Sequence, residues 1–204
     1  MKMEGLPVVD TALVETVAYD TGAPMHRRVA VEDRSETTTP PFELDGFAAT
    51  SQRARLVSRR TFARGDAVWP LSGRPATRSE RTIQVGPRTH VEDESGLALL
   101  RHSCEPNVVV DTSGLLMVFA LRDIAAGEEL TRFYPSTEWD MLRPFVCECG
   151  APQCVRFVAG ARYLSADVLG RHFVNAHIRR LLTAAVEHSW RPVTCGPRGS
   201  RGRS

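Results

Sequence analysis

Arg101-His102-Ser103-Cys104-Glu105-Pro106-Asn107 puts an imidazole, a thiol and a carboxamide into one short run interrupted by a proline. Proline fixes its own φ and pushes its neighbour out of the helical region, so this run is a turn between extended segments. An imidazole can accept or donate, a thiolate can bind metal, and an amide can do both jobs of a hydrogen bond at once. What the turn does depends on which later segments meet it.

Two later segments carry compatible chemistry. The first is Ala126-Gly127-Glu128-Glu129-Leu130-Thr131-Arg132-Phe133-Tyr134, a turn followed by a β-type run that ends on a phenol. The second is Cys147-Glu148-Cys149-Gly150-Ala151-Pro152-Gln153-Cys154, a C-x-C-x4-C array. Gly150 and Pro152 let the backbone fold tightly enough to aim three thiolates at one point. Tetrahedral zinc takes four ligands, with sulfur at about 2.3 Å, so one more is needed. Cys104 and Cys195 remain; Cys104 lies in an ordered turn and Cys195 in a basic tail, which favours Cys104.

In this order and spacing the three segments resemble the SET-domain protein lysine methyltransferases that carry a post-SET zinc-binding module. The family patterns N-H-S-C-x-P-N, G-E-E-L-T-x-D-Y and C-x-C-x4-C are met residue by residue, apart from Arg101, Phe133 and Arg156, which stand where Asn, Asp and Gly are usual. Arg64-Gly65-Asp66-Ala67-Val68 is similar to an early family turn, and Tyr134 to Asp140 resembles a stretch of small stand-alone SET proteins. A glycine-rich cofactor loop is absent between Thr50 and Ser58.

The resemblance implies a mainly β (α+β) SET fold: several small β-sheets around a pseudoknot, a Cys-rich post-SET segment and a C-terminal helix. It implies S-adenosylmethionine and zinc as cofactors. Tyr134 would be catalytic, Arg101 and His102 would bind the cofactor, and Asn107 would tie the pseudoknot. Phe133 and Trp139 are expected along the substrate channel, and Cys104, Cys147, Cys149 and Cys154 at the metal. The implied substrate is a protein or peptide lysine. A small amine metabolite or carrier-bound intermediate is the alternative, as is a scaffold that binds without turnover.

Outward from these segments the chain reads as short strands. Arg55–Ser58, Asp66–Leu71, Thr82–Val85, Val108–Asp111, Leu115–Leu121 and Glu129–Tyr134 are β-branched or aromatic runs between turn signals. A helix is expected from a Ser165 cap to about His188, with a possible break at Asn175-Ala176. Glu92-Asp93-Glu94 reads as a solvated turn. The organisation expected is an N-terminal arm (1–45), a SET domain (46–145), a zinc segment (146–160), a helical segment (161–190) and a disordered basic tail (191–204).

At 204 residues, 42% hydrophobic and 25% charged, the composition is that of a folded globular chain and excludes collagen-like, coiled-coil and wholly disordered classes. The 26 basic and 24 acidic residues leave a net charge of +2, so charge balance gives no reason to expect nucleic acid. The apolar runs fall far short of the roughly 20 residues of a membrane helix, and no secretion signal is visible, so a cytoplasmic protein without a membrane partner is expected.

Overall fold

Val108–Asp111 is a run of three valines and an aspartate, and all four residues are buried. In the computed structural model, which describes residues 16–17, 25–26, 40–45, 55–114 and 116–189, this strand pairs antiparallel with Met117–Ala120. Met117–Ala120 pairs in turn with Ala67–Pro70. A second three-stranded sheet orders Gly73–Ala76, His90–Asp93 and Thr82–Gln84. Phe42–Asp45 pairs with Arg55–Ser58, and Thr16–Val17 with Met25–His26. Phe145–Val146 pairs with Phe157–Val158. Small sheets of this kind bury one another's faces, since none has enough apolar area to be stable alone.

Leu56, Val68, Trp69, Leu100, Val108, Val118 and Leu130 meet in the principal core. Each fully buried aliphatic side chain of this kind contributes about 1.5–3 kcal/mol. A second cluster joins Cys104 and Phe133 to Val158, Leu169, Val174 and Ile178. The cysteine segment and the C-terminal helices therefore pack onto the turn at residue 104.

One pairing breaks the antiparallel pattern. Thr131–Arg132 lies parallel to Arg101–His102, and Asn107 fastens the crossing. Its Nδ2 donates to Glu129 O (2.8 Å) and Glu128 Oε1 (3.0 Å), and its Oδ1 accepts from Thr131 N (2.8 Å). The expected strand Glu129–Tyr134 shortens to these two residues, and Tyr134 instead opens a 3-10 turn, Tyr134–Ser136. Pro135 supplies the reason: it has no N–H for a ladder, and its fixed φ suits the first turn of a helix.

One other expectation is corrected. Glu92 and Asp93 lie in the central strand of a sheet, where Glu92 meets Arg74 across the Gly73–Asp93 ladder (3.3 Å) and Asp93 accepts from Ser95 N (2.9 Å). Cross-strand pairing and a local Asx turn hold acids that composition alone assigned to a free turn. The C-terminal helix is two helices, Ala166–Leu169, where Ser165 accepts from Val168 N (3.4 Å), and Ala176–Ser189. The break falls before Ala176 because Asn175 uses its amide for tertiary bonds: Nδ2 donates to Val110 O and Ser136 O (2.9 Å each), and Oδ1 accepts from Thr112 N (2.9 Å). Gly160 has φ 117, and a Cβ there would lie 2.5 Å from Trp139 O, so only glycine lets this segment close on residue 139. Among the described residues no helix is long and apolar enough to cross a membrane. The 191–204 tail and Cys195 lie outside the described residues.

Candidate functional site

Cys104, at the turn, and Cys147, Cys149 and Cys154, on the hairpin segment, bring four Sγ atoms within 4.8 Å of one another. Cys104 Sγ and Cys147 Sγ are 3.9 Å apart. Zinc–sulfur bonds of about 2.3 Å in a tetrahedron place sulfurs about 3.8 Å apart, so the donor set, count and spacing fit a structural zinc site. Backbone amides point at the same sulfurs: Val155 N at Cys104 Sγ (3.4 Å), Cys104 N at Cys149 Sγ (3.5 Å) and Arg156 N at Cys154 Sγ (3.4 Å). Burial without a cation pushes the Cys104 thiol up and the Cys147 thiol up to about 11. Burial also opposes a Cys149 thiolate, yet the amides of Cys104 and Ala151 bring it down to about 7. Arg156, where the family pattern has glycine, sits at φ 65, the region glycine occupies without strain.

His102 links this cluster to Tyr134. Desolvation by burial, reinforced by the Arg132 guanidinium and by His172, lowers its imidazole to about 4, so the ring is neutral. Its Nδ1 accepts from Tyr134 N (3.2 Å), which leaves the proton on Nε2, aimed at Cys104 Sγ at 3.3 Å. Both ring nitrogens are therefore used inside the protein, and what His102 offers a ligand is its ring. Three rings gather there: His102 to Tyr134 at 5.3 Å, His102 to Phe145 at 5.7 Å and Tyr134 to Phe145 at 6.0 Å between centroids. Such an aromatic group fits a cationic sulfonium or a flat base.

Tyr134 O–H donates to Leu100 O at 2.9 Å. Burial raises its pKa, so the group is a phenol. With its proton committed, the oxygen presents lone pairs to anything in front of it. Tyr134 lines a 200 Å³ cavity together with Arg132, Glu138, Met141 and Phe145 among others.

The two residues expected along the channel lie elsewhere. Phe133 is 2% exposed and stacks on His172 with centroids 3.7 Å apart, lining a separate cavity of 420 Å³. Trp139 is absent from the walls of the Tyr134 cavity and packs against the second core, its backbone N–H donating to Gln84 Oε1 (2.9 Å). Alternation explains the first difference: consecutive extended residues point to opposite faces, so Arg132 and Tyr134 share a side and Phe133 turns from it. Arg101 is exposed, and its guanidinium meets Glu129 at 3.3 Å.

Arg132 and Phe145 are site residues that the reading of the chain passed over. A charge at an inward strand position was the available signal for Arg132; nothing local marks Phe145. His177, likewise unassigned, bridges Thr112 Oγ1 (3.2 Å) and Thr137 O (2.9 Å), so the C-terminal helix grips the turn that begins at Tyr134.

The chain is similar to several known proteins over part of its length. The chain is 42% identical over 110 residues to the methyltransferase flvH of Aspergillus flavus, an overlap of 53% of this chain and 62% of that one. It is 41% identical over 64 residues to Histone-lysine N-methyltransferase 2B of Homo sapiens, 29% of this chain and 2% of that one. The chain thus spans less than two thirds of the relatives it matches. Among solved structures, KRYPTONITE in complex with mCHG DNA and SAH matches at a TM-score of 0.46 and 21% identity, over 57% of this chain and 29% of that one. The methyltransferase domain of human Histone-lysine N-methyltransferase SETMAR matches at 0.43 and 20%, over 54% and 56%. The family model described as SET domain matches residues 32–135, more than half of the chain, and this protein therefore belongs to the SET domain family.

Proposed function

We propose that the chain is an S-adenosylmethionine-dependent N-methyltransferase whose acceptor is a primary amine entering the cavity beside Tyr134. The observation that carries this reading is Tyr134, whose hydroxyl proton is held by Leu100 O and whose side chain lines that cavity. Bound at the aromatic group, the cofactor would supply a methyl carbon on a sulfonium. Displacement at that carbon needs an aligned, neutral amine, and alignment alone is worth several kcal/mol. Tyr134 accepts from the amine N–H and so turns the nitrogen lone pair away from itself. Its neutral phenol adds no anion that would hold an ammonium in place. The Arg132 guanidinium, 4.4 Å from the centroid of the same ring, disfavours the ammonium by like-charge repulsion against an ordinary amine pKa of about 10.4. Cys104, Cys147, Cys149 and Cys154 would hold zinc, which keeps the Phe145 hairpin over the site.

Two acceptors are compatible with this chemistry. The names of the histone-lysine relatives support a protein lysine; the cationic wall of the cavity supports a small amine. Transfer of labelled methyl groups into cell extract, sorted by molecular size, distinguishes them. Tyr134→Phe should reduce transfer by about 100-fold or more, in the range of a positioned hydrogen-bonding group. Undiminished transfer by that variant would remove Tyr134 from its role.

A further inference from the structure

Arg132 is a buried cation with no acid beside it. It is 6% exposed, its Nη1 donates to Thr137 Oγ1 (2.8 Å), and its Nε has no hydrogen-bond partner. Among the described residues no carboxylate lies within ion-pair distance of it. The acids on the same cavity wall are engaged elsewhere. Glu138 Oε1 accepts from Gln84 N and Thr137 Oγ1, Glu80 pairs with Arg143, and Asp140 pairs with Arg162. Arg78 and Arg81 on that wall add further positive charge, and Arg78 donates only to the Asp140 carbonyl. Arginine cannot shed its proton to escape burial, so an isolated buried guanidinium is unfavourable until an anion meets it.

We propose that Arg132 is the receptor for a carboxylate carried by the amine acceptor, so that the acceptor is a small aminocarboxylate, a free amino acid in the broad sense. The inference rests on the methyl-transfer reading and names its acceptor class. A guanidinium that lines this cavity without a paired acid can take a carboxylate from the cavity side. The receptor stands against the Tyr134 ring, so carboxylate and amine enter one small cavity together. A lysine within a polypeptide has its own carboxyl group locked in an amide and would leave the guanidinium bare. The cofactor's methionine end is the other possible source of a carboxylate, and the test separates the two.

Full-length wild type, Arg132→Gln and Arg132→Lys are compared in three titrations: S-adenosylmethionine, butyrate and butyramide, each followed by calorimetry. In parallel, labelled methyl transfer is measured to free amino acids, to their carboxamides and to a lysine-containing peptide. Wild type should bind butyrate and not butyramide, and should favour free acids over carboxamides by about 100-fold or more in kcat/KM. Arg132→Gln should abolish both preferences while changing cofactor affinity less than about 3-fold, with Arg132→Lys in between. A wild type that labels the peptide and not the free acids overturns the proposal. So does an Arg132→Gln variant that loses cofactor affinity with acceptor preference unchanged, because the carboxylate is then the cofactor's. If no amine of any kind is methylated, the methyl-transfer reading fails. The butyrate arm still decides whether Arg132 receives a carboxylate, and equal binding of butyrate and butyramide by wild type refutes it even if the variants fail to fold.

Discussion

Asn107→Ala should be among the most damaging single substitutions in this chain. Asn107 is 1% exposed, and its amide makes three hydrogen bonds, to Glu129 O, Glu128 Oε1 and Thr131 N. Truncation strands the Glu129 carbonyl and the Thr131 amide inside the crossing. Each such group costs about 1–3 kcal/mol, so the pair costs about 3–4 kcal/mol once the lost Glu128 bond is added. For a domain of this size that is a fall of about 6–16 °C in Tm. Asn107→Asp keeps the acceptor for Thr131 N–H but sets a carboxylate against the Glu129 carbonyl and the Glu128 carboxylate, so it should be at least as damaging. Urea denaturation followed by far-ultraviolet circular dichroism gives the numbers, with an unchanged slope showing that the denatured state is unaltered. Because the crossing carries Thr131–Arg132 into Tyr134, methyl transfer should fall further than the folded fraction at a temperature where the variant remains native. A loss under about 1 kcal/mol for Ala, or an Asp variant as stable as wild type, would mean that the crossing is held by side-chain packing and that the hydrogen-bond reasoning is wrong.

Two further outcomes are expected. Elemental analysis should find one zinc per chain, and a strong chelator should lower Tm and abolish cofactor binding together, since the Phe145 hairpin carries three of the four cysteines' attachments; an unchanged Tm in chelator would refute a structural metal. Stability should also fall with acid through His172, whose imidazole is lowered to about 4 first by desolvation and then by Arg171. The unfolded chain binds that proton from about pH 6.5 downward. The contribution is therefore complete above pH 6.5 and lost as pH falls toward 4. Allowing for partial solvent screening, it is about 1–2 kcal/mol, and a His172→Gln variant should show a flatter pH dependence of its urea midpoint over that window. An identical slope in both proteins would discard the assignment.

Much of the site is written locally in the chain. The C-x-C-x4-C array needs only its Gly and Pro to converge, and Val108–Asp111 needs only its three valines to seek the interior, because these choices depend on neighbours a few bonds away. Other features depend on what packs against what. Cys104 lies 43 residues from Cys147, yet their sulfurs are 3.9 Å apart, a distance set by the hairpin folding back over the turn. Asn175 stands just before the Ala176–Ser189 helix and fastens it because Val110 O, Ser136 O and Thr112 N surround it. Phe133 was expected along the channel and Arg132 was passed over, but a two-residue ladder followed by a proline turn points them to opposite sides. Whether a guanidinium is matched or bare is likewise a property of its surroundings: sequence supplied the charge of Arg132, and only the packed tertiary structure removed every acid and most of the water from it, since desolvation is decided by all the elements that close over a group and by none of them alone.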